Sequence, residues 1–110
     1  MDITWEDFEK IDIRVGTILE ANDFPKARKP AYQLKIDFGE LGIKQSSAQI
    51  TDLYSKQDLI GMQVTAVVNF PRKQIANFFS ECLVLGAVAE NGEVTLLSAN
   101  KRVKDGLRIS

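Results

Sequence analysis

Residues 71–80, PRKQIANFFS, place two cations directly after a proline and two adjacent phenylalanines shortly before a serine. This stretch has the chemistry of binding. A guanidinium and an ammonium (Arg72, Lys73) neutralise phosphates, and aromatic planes (Phe78, Phe79) stack on bases or cover apolar side chains. Asn69 and Phe70 precede the stretch, and Ile75 and Ser80 lie within it. A second candidate is Lys44–Gln49, where Ser46, Ser47 and Gln49 offer hydroxyls and an amide to a ligand's backbone or phosphates. The competing reading is a sheet edge kept unsticky by polar side chains. Arg14, Lys35 and Lys44 would extend a cationic groove, and Phe24, Phe70, Ile75 and Phe78 would grip apolar groups. Against this stands ordinary packing, with at least one of the adjacent phenylalanines plugging a barrel end.

Catalysis fails on inventory. The chain has no histidine, the commonest general base and metal ligand, and no glycine-rich phosphate loop. Lys44 and Ser47 could be paired as base and nucleophile, but nothing else supports that pairing. The expectation is a binding protein, with no enzyme activity, cofactor or metal.

Two short apolar runs, Val64–Phe70 and Glu81–Val88, flank the PRKQIANFF loop and read as central strands. Upstream, Tyr32–Phe38 alternates strictly, with Tyr32, Leu34, Ile36 and Phe38 on one face and Gln33 and Lys35 on the other. In residues 11–19 Ile11, Ile13 and Val15 share a face, and the parity slips after Gly16, which predicts a bulge or barrel corner there. Gly42–Ile50 reads as a polar strand, and residues 51–60 as a loop or single turn holding Leu53 and Tyr54. Asn91-Gly92 predicts a hairpin joining Cys82–Val88 to Val94–Leu97. Leu107–Ile109 reads as a last strand. Thr4, with an acid three residues on at Asp7, predicts a short helix over Trp5–Lys10 whose Trp5 and Phe8 must pack on something. Five to seven short strands without βαβ spacing give an all-β class, most economically a five-stranded Greek-key oligonucleotide-binding barrel (OB-fold) with a short N-terminal helix and extra terminal strands.

At 110 residues with 45% apolar content, the chain is expected to form one domain over 1–110 with a modest core. The net charge of −1 excludes a protein whose whole surface grips nucleic acid, yet the charge is uneven. The first twelve residues hold five acids and one base; residues 26–35 hold Lys26, Arg28, Lys29 and Lys35 with no acid, and residues 101–110 hold Lys101, Arg102, Lys104 and Arg108 against Asp105. A neutral domain can still carry one basic face, although two of these runs could be loop decoration. A single cysteine, Cys82, excludes an intrachain disulfide and fits a reducing compartment. No secretory signal and no apolar run near the ~18 residues of a membrane span are visible. A cytoplasmic protein without membrane insertion is expected.

Residues 12–16 (DIRVG), Phe24–Ala27, the strand Leu34–Gly39 and the block Val67–Ser80 resemble the tRNA-binding domain family. Closer still, IKQSSAQIT (43–51), VVNFPRKQIANF (67–78) and SECLVLG (80–86) are similar to the CsaA proteins, free-standing homodimeric members described as export-related chaperones. The resemblance covers nearly the whole chain from about residue 7. It implies an OB barrel, a homodimer built through segments 1–11 and 99–110 (Trp5, Phe8, Val103, Leu107, Ile109), and unfolded or preprotein polypeptides as partners. The alternative it carries is a tRNA-binding module using the same groove, and a structural adaptor is a third reading. Many relatives carry a histidine where this chain has Phe24, and a more basic, glycine-containing segment where it has Gln74–Asn77. Both departures favour an apolar peptide as ligand.

Overall fold

The computed structural model describes residues 1–110 throughout. Its centre is one antiparallel sheet of five strands: β1 (Ile13–Asp23), β2 (Tyr32–Asp37), β3 (Ile43–Ala48), β4 (Gln63–Val67) and β7 (Leu83–Val84), in the order β3-β2-β1-β4-β7. The two outer strands approach each other and nearly close a barrel. The Glu81 N–H donates to the Gln45 carbonyl at 2.8 Å, and the Ser46 hydroxyl donates to the Cys82 carbonyl at 2.8 Å. This is the OB-like all-β architecture that the strand pattern predicts.

The core is what strict alternation dictates. Leu34, Ile36 and Phe38 are buried to 1% exposure or less, facing Val15, Ile18 and Val64 from β1 and β4. β4 is buried at every position, Gln63 and Thr65 included, as befits a central strand. No buried side-chain nitrogen or oxygen lacks a hydrogen-bond partner. β1 is long because it serves two neighbours: Ile13–Thr17 pair with β4, and Thr17–Asp23 with β2.

The irregularity in β1 lies between Ile18 and Glu20, not at Gly16. Gly16 has a different reason to be glycine. A Cβ there would stand 2.6 Å from Ile36 Cγ2 and 2.7 Å from Phe38 Cε1, so the bare backbone is what lets β1 close over the core.

The C-terminal stretch lies against the start of β1. Val15 N–H donates to Leu107 O, and Ile109 N–H donates to Ile13 O, a short antiparallel bridge in place of a full strand. Helix α1 (Trp5–Glu9) carries the expected cap, with the Thr4 hydroxyl accepting from Asp7 N–H and the Asp7 carboxylate accepting from Thr4 N–H. A second capping box, Ser55 with Asp58, starts the single-turn helix α2 (Lys56–Leu59) and drives Leu59 fully into the core.

Two expectations change in the last third of the chain. The PRKQIANFF loop is itself a hairpin, β5 (Lys73–Ile75) with β6 (Phe78–Ser80). The Glu81–Val88 run is not one central strand: it breaks into β7, paired to β4 over two residues, and β8 (Gly86–Val88), which pairs with β9 (Val94–Leu96) in a separate hairpin. The predicted Asn-Gly turn joins β8 and β9, with Gly92 at φ +89° and its N–H donating to Ala89 O.

Candidate functional site

The short hairpins do not cover the barrel flush; they stand off it and leave a groove of about 670 Å³. It is lined by the end of β3 and the residues after it, Ser47–Ile50, together with Lys73, Ile75 and Ser80 of the β5–β6 hairpin. The back is apolar, made by Leu83, Val84 and Leu85, with Val88 and Val94 from the second hairpin and Phe70 and Pro71 at the rim. Several of these are unusually bare for aliphatic and aromatic groups: Val88 is 71% exposed, Phe70 55% and Leu83 49%. Contiguous exposed apolar surface is a feature that binding sites share, which makes this groove the candidate.

The floor is held rigidly. The Ser80 hydroxyl accepts from Ser47 N–H at 3.2 Å and donates to Cys82 O at 3.3 Å, which fixes the β6 end against β3. The Gln45 side chain donates to Phe79 O at 2.8 Å, and Gln45 N–H donates to the Glu81 carboxylate. Cys82 lies at the floor, where burial pushes its thiol up to about 11, only partly offset by Ser46 and Lys44. A thiol so protonated is no nucleophile at neutral pH.

A second concavity of about 660 Å³ adjoins the groove and shares Gln49, Lys73 and Ile75 with it. Its far side is the loop Lys26–Ala31, so that Lys26, Arg28, Lys29 and Lys73 surround it. None of these four cations forms an ion pair within the chain.

The sequence-predicted residues divide accordingly. Ser47, Gln49, Phe70, Lys73, Ile75 and Ser80 do come together around the groove. Phe24 and Phe78 do not: they are 5% and 9% exposed, with ring centroids 5.4 Å apart, and form a small core of their own with Ala31. Phe79 is the outward member of the pair, beneath the Arg72 guanidinium at 4.6 Å from the ring centroid. That stacking holds Arg72 at the hairpin's outer side, and Arg72 lines neither concavity.

Ser46 is not a platform residue. It is 1% exposed, points inward beside Leu34, and spends its hydroxyl closing the barrel. Arg14 is also committed elsewhere, pairing with Asp12 at 2.6 Å and donating to Gly106 O, so it pins the C-terminal stretch. Asn69 accepts from Asp12 N–H and donates to Lys10 O, tying the exit of α1 to the end of β4. Lys35 pairs with Glu20 at 3.4 Å on the outer face of β2. Lys44 is half-buried and lines neither concavity. The single cationic stripe through Arg14, Lys35, Lys44 and Arg72 therefore does not form.

What sequence reasoning missed is the apolar back: Leu83–Leu85 and Val88, which their apolar run assigns to a central strand, with Val94 from the next strand. It also undervalued the Lys26–Lys29 loop, whose signal was present as four cations without an acid in residues 26–35.

At the opposite end, Trp5 is 86% exposed and Leu107 47%, while Phe8, Val103 and Ile109 are half-buried. Arg108 donates to Glu9 O at 2.8 Å, so α1 and the C-terminal stretch are neighbours on one side. No cluster of three or more His, Cys, Asp or Glu side chains is arranged to hold a metal, and no helix is long and apolar enough to cross a membrane.

Residues 13–108 match the family described as putative tRNA binding domain. Over the whole of both chains, the fold superposes on the chaperone CsaA from Bacillus anthracis with a TM-score of 0.96 and 55% identity. The CsaA chaperone protein of Picrophilus torridus gives 0.93 and 56%, covering 99% of this chain and all of that one. Methionine–tRNA ligase of Methanocaldococcus jannaschii is 34% identical over 109 residues, 99% of this chain but only 16% of that enzyme. The chain thus spans about a sixth of the length of such ligases. The protein belongs to the tRNA-binding domain family and, within it, to the CsaA proteins.

Proposed function

We propose that the protein is a non-enzymatic CsaA-type chaperone that holds unfolded polypeptides, preproteins awaiting export among them, in the groove between β3 and the two hairpins. The observation that carries this reading is the groove's apolar back, about 670 Å³ of open space lined by Val84, Leu85, Val88 and Val94. Each client Leu or Val side chain seated there contributes about 2 kcal/mol. Three of them give ~6 kcal/mol before association costs of at least ~4 kcal/mol, so binding is weak and reversible. That suits a protein that must release its client without a nucleotide cycle. The chain acts as one domain in the cytoplasm, and segments 1–11 and 99–110 pair two copies across a two-fold axis through Trp5, Phe8, Val103, Leu107 and Ile109. Support for the pairing is the exposed Trp5 and Leu107 on the side where α1 meets the C-terminal stretch. Two grooves on one dimer would raise avidity for a long unfolded chain.

The second reading, a tRNA-binding module, is favoured by the family match and by the unpaired cations Lys26, Arg28, Lys29 and Lys73. Titration of labelled unfolded, apolar-rich peptide and of labelled tRNA across salt concentrations separates the two. Salt-tolerant peptide binding that V88D weakens at least about tenfold, with unchanged stability, is the expected result; a single exposed substitution leaves folding within ~0.5 kcal/mol. Negligible peptide binding beside tRNA binding that falls steeply with salt would sink the chaperone reading.

A further inference from the structure

The apolar groove and the cationic basin meet at a ridge. Lys73 and Ile75 of β5 and Gln49 beyond β3 face both, so a ligand lying along the groove past Ile75 arrives among Lys26, Arg28 and Lys29. These side chains are exposed and unpaired, while the nearest acid of the same loop region, Asp23, is already occupied by Lys56 at 2.8 Å. The basin's near wall is backed by packing: Phe24 and Phe78 meet with their rings tilted at 57°, and Ala31 and Ile75 pack against that pair. A basin with four cations and no acid among its lining residues has one charge complement, an anionic group.

We propose that the groove and basin form one bipartite site whose occupant is a polypeptide segment with apolar side chains next to one or more carboxylates. The apolar part seats against Val84, Leu85 and Val88, and the carboxylates reach over Lys73 into the basin. This rests on the chaperone reading of the groove and adds its selectivity: among unfolded segments the protein prefers those with an acidic flank and rejects those with a basic one. Exposed ion pairs are individually weak, so the preference arises from several cations acting together and declines with salt.

The test uses three labelled peptides with the same apolar core and a neutral, acidic or basic flank, titrated at low and high salt against the wild-type protein and an R28S/K29S variant. The acidic-flanked peptide is expected to bind about tenfold more tightly than the neutral one at low salt, as two or three weak pairs would give. High salt should bring that ratio near one, and the double variant, which keeps Lys26 and Lys73, should cut it to about threefold while leaving the neutral peptide's affinity unchanged. Equal affinity for all three peptides at low salt, or an acidic preference undiminished in R28S/K29S, would overturn the proposal yet leave the chaperone reading intact. Loss of every peptide, with tRNA bound, would overturn both and assign the basin to nucleic acid.

Discussion

Residues 13–67 and residues 69–97 use apolar side chains in opposite ways. In the first region, strands of five to eleven residues pair along their length and turn Val15, Ile18, Leu34, Ile36, Phe38 and Val64 almost wholly inward. In the second, three-residue strands pair in two small hairpins, β7 adds only two residues to the barrel sheet, and Phe70, Phe79, Leu83, Val88 and Leu97 are left substantially bare. Short hairpins bury little, so their stability depends on anchors to the barrel: Glu81 to Gln45, Leu96 N–H to the Tyr54 hydroxyl, Leu85 and Leu97 to Thr65. The first region is a scaffold, and the second is the surface that scaffold presents.

Removing a scaffold side chain gives the largest expected effect. L34A deletes a fully buried group between β1 and β3 and should cost about 3 kcal/mol in urea unfolding, within the range for such cavities. Under native conditions the remaining folded protein should bind peptide as before. An equal loss of affinity would mean that scaffold and surface are not separable.

Cys82 sits at the boundary of the two regions. Its thiol is raised from 9.0 to about 11 by burial, so the folded state holds the proton more tightly than the unfolded state. The sign follows: this contribution is complete below pH 9 and is lost as pH climbs from about 9 towards about 11, by about 2 kcal/mol. C82A should flatten that part of the stability–pH curve relative to the wild type, read as the difference between the two so that lysine titration cancels. A difference independent of pH would mean the thiol is open to water, and with it the groove floor.

The scaffold was legible in the sequence and the surface only in part, for a physical reason. The alternation of Tyr32–Phe38 and the Thr4–Asp7 cap are local codes and are realised, and the run Val64–Phe70 is realised as a strand as far as Val67. Ser55–Asp58 is the same code as the first cap and was readable by the same rule. By contrast, Phe24 against Phe78 and Ser46 against Cys82 are long-range contacts, and no local period distinguishes a phenylalanine that plugs from one that presents. Arg14 and Asn69 look like ligand contacts in sequence because the groups they satisfy, Gly106 O and Lys10 O, are backbone atoms invisible to residue type. The apolar back of the groove has a core strand's composition, and only the failure of Glu81–Val88 to pair along its length exposes it.

The smallest expected effect concerns how the surface region holds its shape. The β5–β6 hairpin turns through Ala76 and Asn77, with Ile75 facing Phe78, and Ala76 adopts φ +52°, the one non-glycine residue in the left-handed region. A Cβ there costs on the order of 1 kcal/mol, and the Gln74 side chain supports the conformation by donating to Ala76 O at 3.1 Å. Replacing it by glycine relieves the strain but frees the unfolded chain, so A76G should stabilise by well under ~1 kcal/mol in chemical denaturation. Its effect on binding is the sharper reading. Ala76 lines the cationic basin and adjoins Ile75 on the ridge, so a relaxed turn should leave the neutral peptide's affinity unchanged and shift only that of the acidic-flanked one. If A76G weakened both equally, the hairpin would be moving as a whole, and the division between a rigid scaffold and a separately presented surface would have to be drawn on the barrel side of β5.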